Sequence, residues 1–203
     1  MNTVHQKEQE QLEEALCHDP DNSQKQYDLA LIYMHQQRNS EALELLDCCL
    51  NLSKRDADIF YARAVLHMSM SNFRKAGCDL LRTIVLDPGC LEAYKHLGFV
   101  QLTLGKEEAA LKTLQKALQI DPGYADVYCV IGDTYLDLGE YEKAREAFEA
   151  ALQLEPDNAE PHYKIAMYYL SRGDMDGLKK EYEILKVLDD AMAEQIGNLF
   201  FNT

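Results

Sequence analysis

The chain has 203 residues, with 35 acidic against 20 basic side chains, a formal charge of −15 and a sequence pI near 4.7. That length suits one ordinary domain, and 47% hydrophobic with 27% charged residues is the balance of a globular chain rather than a disordered one. Nucleic acid is excluded as the expected partner, because phosphate binding rests on clustered Lys and Arg and no such stripe runs along this sequence.

The first residues, rich in Gln and Glu from Gln6 to Glu14, lack the charged start and apolar core of a secretory signal. No apolar run approaches the roughly 18 residues of a membrane span. The residues ahead of Cys17 are Glu13, Glu14, Ala15 and Leu16, which do not make a lipoprotein anchor. A soluble, cytoplasmic protein is the expectation. Cys17, Cys48, Cys49, Cys78, Cys90 and Cys129 form no CxxC pair and no disulfide framework, so reduced thiols are expected.

From residue 23 onward the sequence repeats itself. Ala42, Ala76, Ala110 and Ala144 follow one another at intervals of 34 residues, as do Gly105, Gly139 and Gly173, and Pro88, Pro122 and Pro156. Within a period the apolar spacing is helical: Tyr128, Ile131, Gly132 and Tyr135 recur at i, i+3, i+4, i+7, then Ala144, Phe148 and Ala151 at i, i+4, i+7. Gly139 opens a turn between the two helices, and Asp121-Pro122 and Glu155-Pro156 end the second, since proline cannot continue a helix.

A helical hairpin with this period resembles the tetratricopeptide repeat family. The match includes a small residue at the eighth position (Ala30, Ala64, Gly98, Gly132, Ala166) and alanine at the twentieth in four of five repeats. The resemblance implies an all-α fold, a right-handed superhelix or α-solenoid of helical hairpins with a C-terminal capping helix. The small sites let paired helices approach to about 8–10 Å between axes.

One such domain over residues 1–203 contains five full repeats, 23–56, 57–90, 91–124, 125–158 and 159–192. Residues 8–22 resemble only a second helix, with Leu12, Ala15, Leu16 and Pro20 in register. The fifth repeat departs from the pattern: Leu178 replaces alanine, Gly177 precedes it, and Lys186 falls at another small-residue site. Residues 189–203 form a final helix, with Asp189 and Asp190 offering an N-cap and Met192, Ile196, Leu199 and Phe200 a stripe. Covering the last repeat is its expected task; the competing one is that Leu199-Phe200-Phe201 docks into a neighbouring molecule.

At about 100° per residue, positions 4, 7, 8 and 11 of each repeat share the buried face of its first helix. Positions 2, 5, 9, 12 and 13 point elsewhere, and in the resembled family that second face lines a concave groove. Position 5 reads Tyr27, Tyr61, Lys95, Cys129 and Tyr163; position 9 reads Leu31, Val65, Phe99, Asp133 and Met167; position 12 reads Met34, Met68, Leu102, Leu136 and Leu170. These fifteen are the candidate partner-binding residues. All but Lys95, Cys129 and Asp133 are aromatic, aliphatic or Met, so the face is expected to be covered. Two accounts fit: lateral packing between neighbouring first helices, which suits position 12, and a partner's amphipathic segment gripped by positions 5 and 9. The position 2 acids Asp58, Glu92, Asp126 and Glu160 lie in first turns, where the helix dipole favours them by about 0.3–1 kcal/mol.

Charge is uneven: residues 1–56 carry −6, the next three repeats +1, 0 and −7, and residues 159–203 −3. The expected ligand is a protein or peptide with an apolar face over repeats one to three and basic residues toward repeat four. Members of the family that clamp acidic C-terminal peptides of heat-shock proteins use Lys, Asn and Arg in the groove; here only Lys95 is basic and Asp133 is acidic, which argues against that role.

Catalysis is not expected. His5, His18, His35, His67, His96 and His162 form no metal-spaced pair, and GxSxG, GxxxxGK[ST] and strand-borne GxGxxG motifs are missing. No cofactor or metal is expected. His67 and His162 are read as core residues with one bonded nitrogen, and Cys49, aligned with Ala15, Ala117 and Ala151, as a small core residue. The sequence thus points to a non-enzymatic adaptor or scaffold that binds a protein segment in its groove. The alternatives are a dedicated chaperone for secreted or assembling clients, and a self-assembling scaffold of a pilus machinery or bacterial organelle, for which a homo-oligomer would be the working form.

Overall fold

A computed structural model describes residues 2–200, with side chains described for residues 6–198. Twelve helices and no strand occur among these residues. They are α1 (Asn2–His18), α2 (Ser23–His35), α3 (Asn39–Leu52), α4 (Ala57–Ser69), α5 (Phe73–Leu86), α6 (Leu91–Thr103), α7 (Glu107–Ile120), α8 (Ala125–Asp137), α9 (Tyr141–Leu154), α10 (Ala159–Arg172), α11 (Met175–Leu188) and α12 (Asp190–Phe200). Each 34-residue period therefore holds two helices, as the spacing predicts.

Short polar side chains set several helix starts by accepting otherwise unpaired amides. Asn22 accepts from the Lys25 amide at 3.1 Å, Asp56 from Asp58 and Ile59, Asn158 from Glu160, and Asp174 from Gly177. The turn inside every repeat reaches the left-handed region at one residue: Gln37 (φ 61°), Ser71 (58°), Gly105 (66°), Gly139 (73°) and Gly173 (70°). Three of the five are glycine, the residue that adopts this backbone without steric cost.

The chain divides into two compact units, Met1–Leu104 and Gly105–Thr203, so the boundary falls within the third repeat. In the first unit α1 packs on α2 and each later helix on its predecessor. Leu12 and Leu16 of α1 lie against a core of Leu29, Ala30, Leu46, Cys49, Ile59, Phe60 and Leu66, so the half repeat is integral to that core. Ala64, Ala76, Leu80, Ala93, Leu97 and Val100 form the next cluster. Full burial of a Leu such as Leu46 or Leu80 contributes about 1.5–3 kcal/mol.

In the second unit Ala144, Phe148 and Ile165 form one cluster and Ala166, Leu178, Leu185, Ala193 and Ile196 another. The departures of the fifth repeat are accommodated by volume exchange. Leu178 is fully buried, and Gly177 leaves room for the Tyr169 ring, whose Cδ1 and Cγ lie 2.6 Å from where a Cβ would stand. The buried residue in the other small-residue register is Leu185, not Lys186, which is exposed and pairs with Glu183 at 3.0 Å. The final helix α12 is capped by Asp189, which accepts from the Met192 amide at 3.0 Å, and Ala193 and Ile196 bury into the α10–α11 core. The end of the predicted docking tail, Phe201 and the side chains of Leu199 and Phe200, lies outside the described residues.

Both core histidines differ from expectation. His162 bonds through both ring nitrogens, Nδ1 to Glu181 at 2.7 Å and Nε2 to the Pro156 carbonyl at 3.2 Å. His67 is 5% exposed, and its Nδ1 has no partner.

Candidate functional site

The surface predicted to bind belongs to the first helices of the repeats, and the structure sorts its three rows. Position 12 is packing. Met34 and Met68 lie against the two cores of the first unit, while Leu136 and Leu170 lie against those of the second. A β-free helical layer needs such filling wherever first helices approach one another.

Position 5 is largely tied down. The Tyr61 ring stacks on His96 with centroids 5.7 Å apart, and its hydroxyl meets His96 Nδ1 at 3.1 Å, joining α4 to α6. Tyr27 packs on the first core; burial first, then the nearby Asp58, Asp56 and Asp28 carboxylates, push its phenol above the usual range. Tyr163 packs with Ala166, Leu178 and Leu185. Lys95 is half-buried. Cys129 is a correction: at 3% exposure it lies beside Ala125 and Ala151 in the core, offers no contact surface, and burial pushes its thiol up to about 12.

Position 9 is where apolar surface reaches solvent. Leu31 is 39% and Phe99 41% exposed, with Val65 half-buried at the equivalent place on α4. Phe99 is held from one side by an edge contact to Phe73 at 6.4 Å. In the second unit the row changes character: Asp133 is bound by Lys164 at 2.9 Å, and burial raises its carboxyl despite that cation. Met167 and, at position 12, Leu102 are half-buried. Of the position 2 acids, Asp58, Glu92 and Glu160 are exposed and Asp126 half-buried, all in first turns.

A feature the sequence reading did not identify adjoins Leu31. Helices α1 and α2 enclose a hollow of about 820 Å³ whose wall includes Leu31 and Ile32 together with Glu8, Glu10, Glu13 and Asp28. Among the described residues no Lys or Arg lines it. Glu13 is fixed there by accepting from Tyr33 Oη at 2.9 Å and Gln9 at 2.7 Å. The only signal in sequence was the acidic character of residues 8–14, since the face that α1 turns to α2 depends on their packing.

Helical hairpins at a 34-residue period, small residues at the eighth and twentieth positions, and an uncovered apolar row on the first helices define a helical-repeat protein of the solenoid class. Family models described as tetratricopeptide repeat match residues 2–59 and 101–149, and one described as TPR repeat matches residues 132–173. The chain belongs to the tetratricopeptide repeat family.

Human sperm-associated antigen 1 is 35% identical over 79 residues, which are 39% of this chain and 8% of that protein. Small glutamine-rich tetratricopeptide repeat-containing protein 2 of Saccharomyces cerevisiae is 38% identical over 61 residues, 30% of this chain and 18% of that protein. The chain thus matches less than a fifth of either relative's length. Among solved structures, a tetratricopeptide repeat protein from Parabacteroides merdae has a TM-score of 0.83 at 18% identity, covering 94% of this chain and 78% of that one. The thermophilic TPR protein TTC0263 of Thermus thermophilus has a TM-score of 0.73 at 25% identity, covering 87% and 97%. These likenesses establish the all-α repeat fold. No helix among the described residues is long and apolar enough to cross a membrane.

Proposed function

We propose that the protein is a non-enzymatic adaptor whose first-helix face in the first unit binds a protein segment with an apolar side and basic residues beside it. The observation that carries this reading is the pairing of exposed Leu31 and Phe99 at one repeat position with the acidic hollow that adjoins Leu31. Apolar side chains in the open row supply area, and the carboxylates of α1 and α2 select positive charge. The acidic lining beside Leu31 supports a charge preference at the α1 end, whereas net charge alone points to repeat four.

The test compares proteins recovered from native lysate by the wild type and by a Leu31→Glu/Phe99→Glu variant. Tyr61 is left intact because its contact with His96 belongs to the fold. Proteins lost with the variant, at unchanged helicity, are groove ligands, and their affinity should fall between about 0.05 and 0.5 M salt. Recovery of the same proteins by both baits refutes the assignment of this face. Recovery of the chain alone by both favours the self-assembling scaffold.

A further inference from the structure

On the second-helix side of the first unit, three helices surround a hollow of about 510 Å³. Helix α4 supplies Arg63 and His67, α3 supplies Asp47, and α5 supplies Arg74, Lys75, Asp79 and Arg82. Spacings of three or four residues bring these side chains to shared helix faces. Arg63, Arg74, Lys75 and Arg82 are all the Lys and Arg residues of repeat two, the one repeat whose net charge is positive, in a chain of formal charge −15.

The positive charge is only partly neutralised internally, four cations standing against Asp47 and Asp79. Arg63 alone meets carboxylates: both its Nε and one terminal nitrogen donate to Asp79 at 2.8 Å, and the other donates to Asp47 at 2.6 Å. Arg74, Lys75 and Arg82 are exposed and have no carboxylate partner among the described residues. Arg82 is steered by the Phe60 ring, 5.4 Å from its guanidinium carbon. A second hollow shares Arg63 and Arg82 and adds Lys54.

Placement on α5 makes the excess more telling. The second helices α3, α7, α9 and α11 carry an acid in their first turn, where the dipole favours negative charge; α5 carries Arg74 and Lys75 instead. Two cations there repel the positive end of the helix, and a bound anion relieves both. His67 also lines the hollow, and its buried Nδ1 has no hydrogen-bond partner among the described residues.

We propose that this hollow is a second binding site, for an oxyanion-bearing protein segment: a short run of carboxylates or a phosphorylated side chain. Arginine forks match carboxylate and phosphate oxygens in pairs, which suits Arg74 and Arg82 flanking Lys75. A short segment is favoured over nucleic acid because charges beyond the Debye length of about 8 Å are screened. It meets the local excess of cations, whereas a long polyanion would run across the acidic remainder of the chain. The site shares no residue with the first-helix row and stands whether or not that row binds.

The test is fluorescence anisotropy of three labelled peptides of one length, an Asp/Glu-rich one, a neutral one carrying a single phosphoserine, and its unphosphorylated parent, with a single-stranded oligonucleotide as a fourth probe. Binding of either anionic peptide but not the parent is expected, weakened at least about tenfold by Arg74→Glu/Lys75→Glu and unchanged by Leu31→Glu/Phe99→Glu. Which anionic peptide binds more tightly distinguishes carboxylate from phosphate as the natural group. Should Arg74→Glu/Lys75→Glu lose helicity, Arg82→Gln and protection of the exposed Cys78 thiol by peptide give the same information. No peptide binding, binding equal for the parent, binding indifferent to these variants, or tighter binding of the oligonucleotide overturns the proposal.

Discussion

Phe148 occupies the space that a side chain on Gly132 would need: its Cδ1 and Cζ atoms each lie 2.6 Å from where a Cβ would stand. The pairs at the same positions elsewhere are Ala30 with Leu46, Ala64 with Leu80, Gly98 with Leu114 and Ala166 with Tyr182, so the fourth repeat alone sets a glycine against an aromatic ring. Gly132→Ala should destabilise the second unit by about 1–3 kcal/mol through overpacking. Adding Phe148→Leu should recover much of that loss in urea unfolding; a double variant no better than the single would separate the two residues.

Gln37 and Ser71 adopt the left-handed turn conformation that glycine adopts in the other three repeats. An L side chain there costs about 1–2 kcal/mol, partly offset in any glycine variant by a more flexible unfolded chain. Gln37→Gly and Ser71→Gly should each raise the thermal midpoint modestly, whereas Gly139→Ala should lower it. Calorimetry of the three variants checks the opposite signs.

Asp79 is 4% exposed, and both its carboxylate oxygens accept from Arg63, whose side chain is 22% exposed. Arg63→Met strands that carboxylate and should cost about 3 kcal/mol. Arg63→Met/Asp79→Leu, which removes both charges, should be closer to wild type. Equal losses in the two variants, read from denaturant midpoints, would mean that packing rather than charge sets the cost.

Burial holds the His67 imidazole below its usual range, with Lys75 and Arg63 adding to that effect and Asp79 and Asp47 opposing it. The neutral ring is therefore the folded form, while the unfolded chain takes up a proton near pH 6.5. Between the two pKa values the unfolded state binds more protons, so this group's contribution makes stability fall as pH drops from 7 toward 5. His67→Gln should show a shallower fall over that interval, measured as the urea midpoint against pH.

Thiol reactivity should follow exposure and thiolate fraction. Cys17, Cys48 and Cys78 are exposed, whereas Cys49 and Cys129 are buried with thiols pushed up by burial. Mass spectrometry after brief alkylation should find the first three modified and the last two protected, with protection lost in denaturant.

The hairpins could be read from sequence because their determinants are local and periodic. Ala42, Ala76, Ala110 and Ala144 mark the helix contacts, and all are fully buried. Residue-level exposure was harder, since it depends on what the neighbouring repeat contributes: Tyr61 is engaged by His96, Asp133 by Lys164, and Cys129 by the core, while Leu31 remains open. Counting 34 residues on from Ala151 reaches the buried Leu185, so the register runs unbroken through Gly177 and Leu178, and Lys186 is the next, exposed position. The basic hollow escaped because Arg63 and Arg82 are distant in sequence and repeat two has a net charge of only +1.

The engagement of Tyr61 with His96 separates two tasks that a repeat surface usually mixes. Cohesion between neighbouring repeats is encoded at position 5, and the uncommitted chemistry sits at Leu31, Val65 and Phe99. A library randomised at those three codons alone would keep the Tyr61–His96 contact and give up the edge contact of Phe99 to Phe73, which makes this unit a starting point for binders of altered preference.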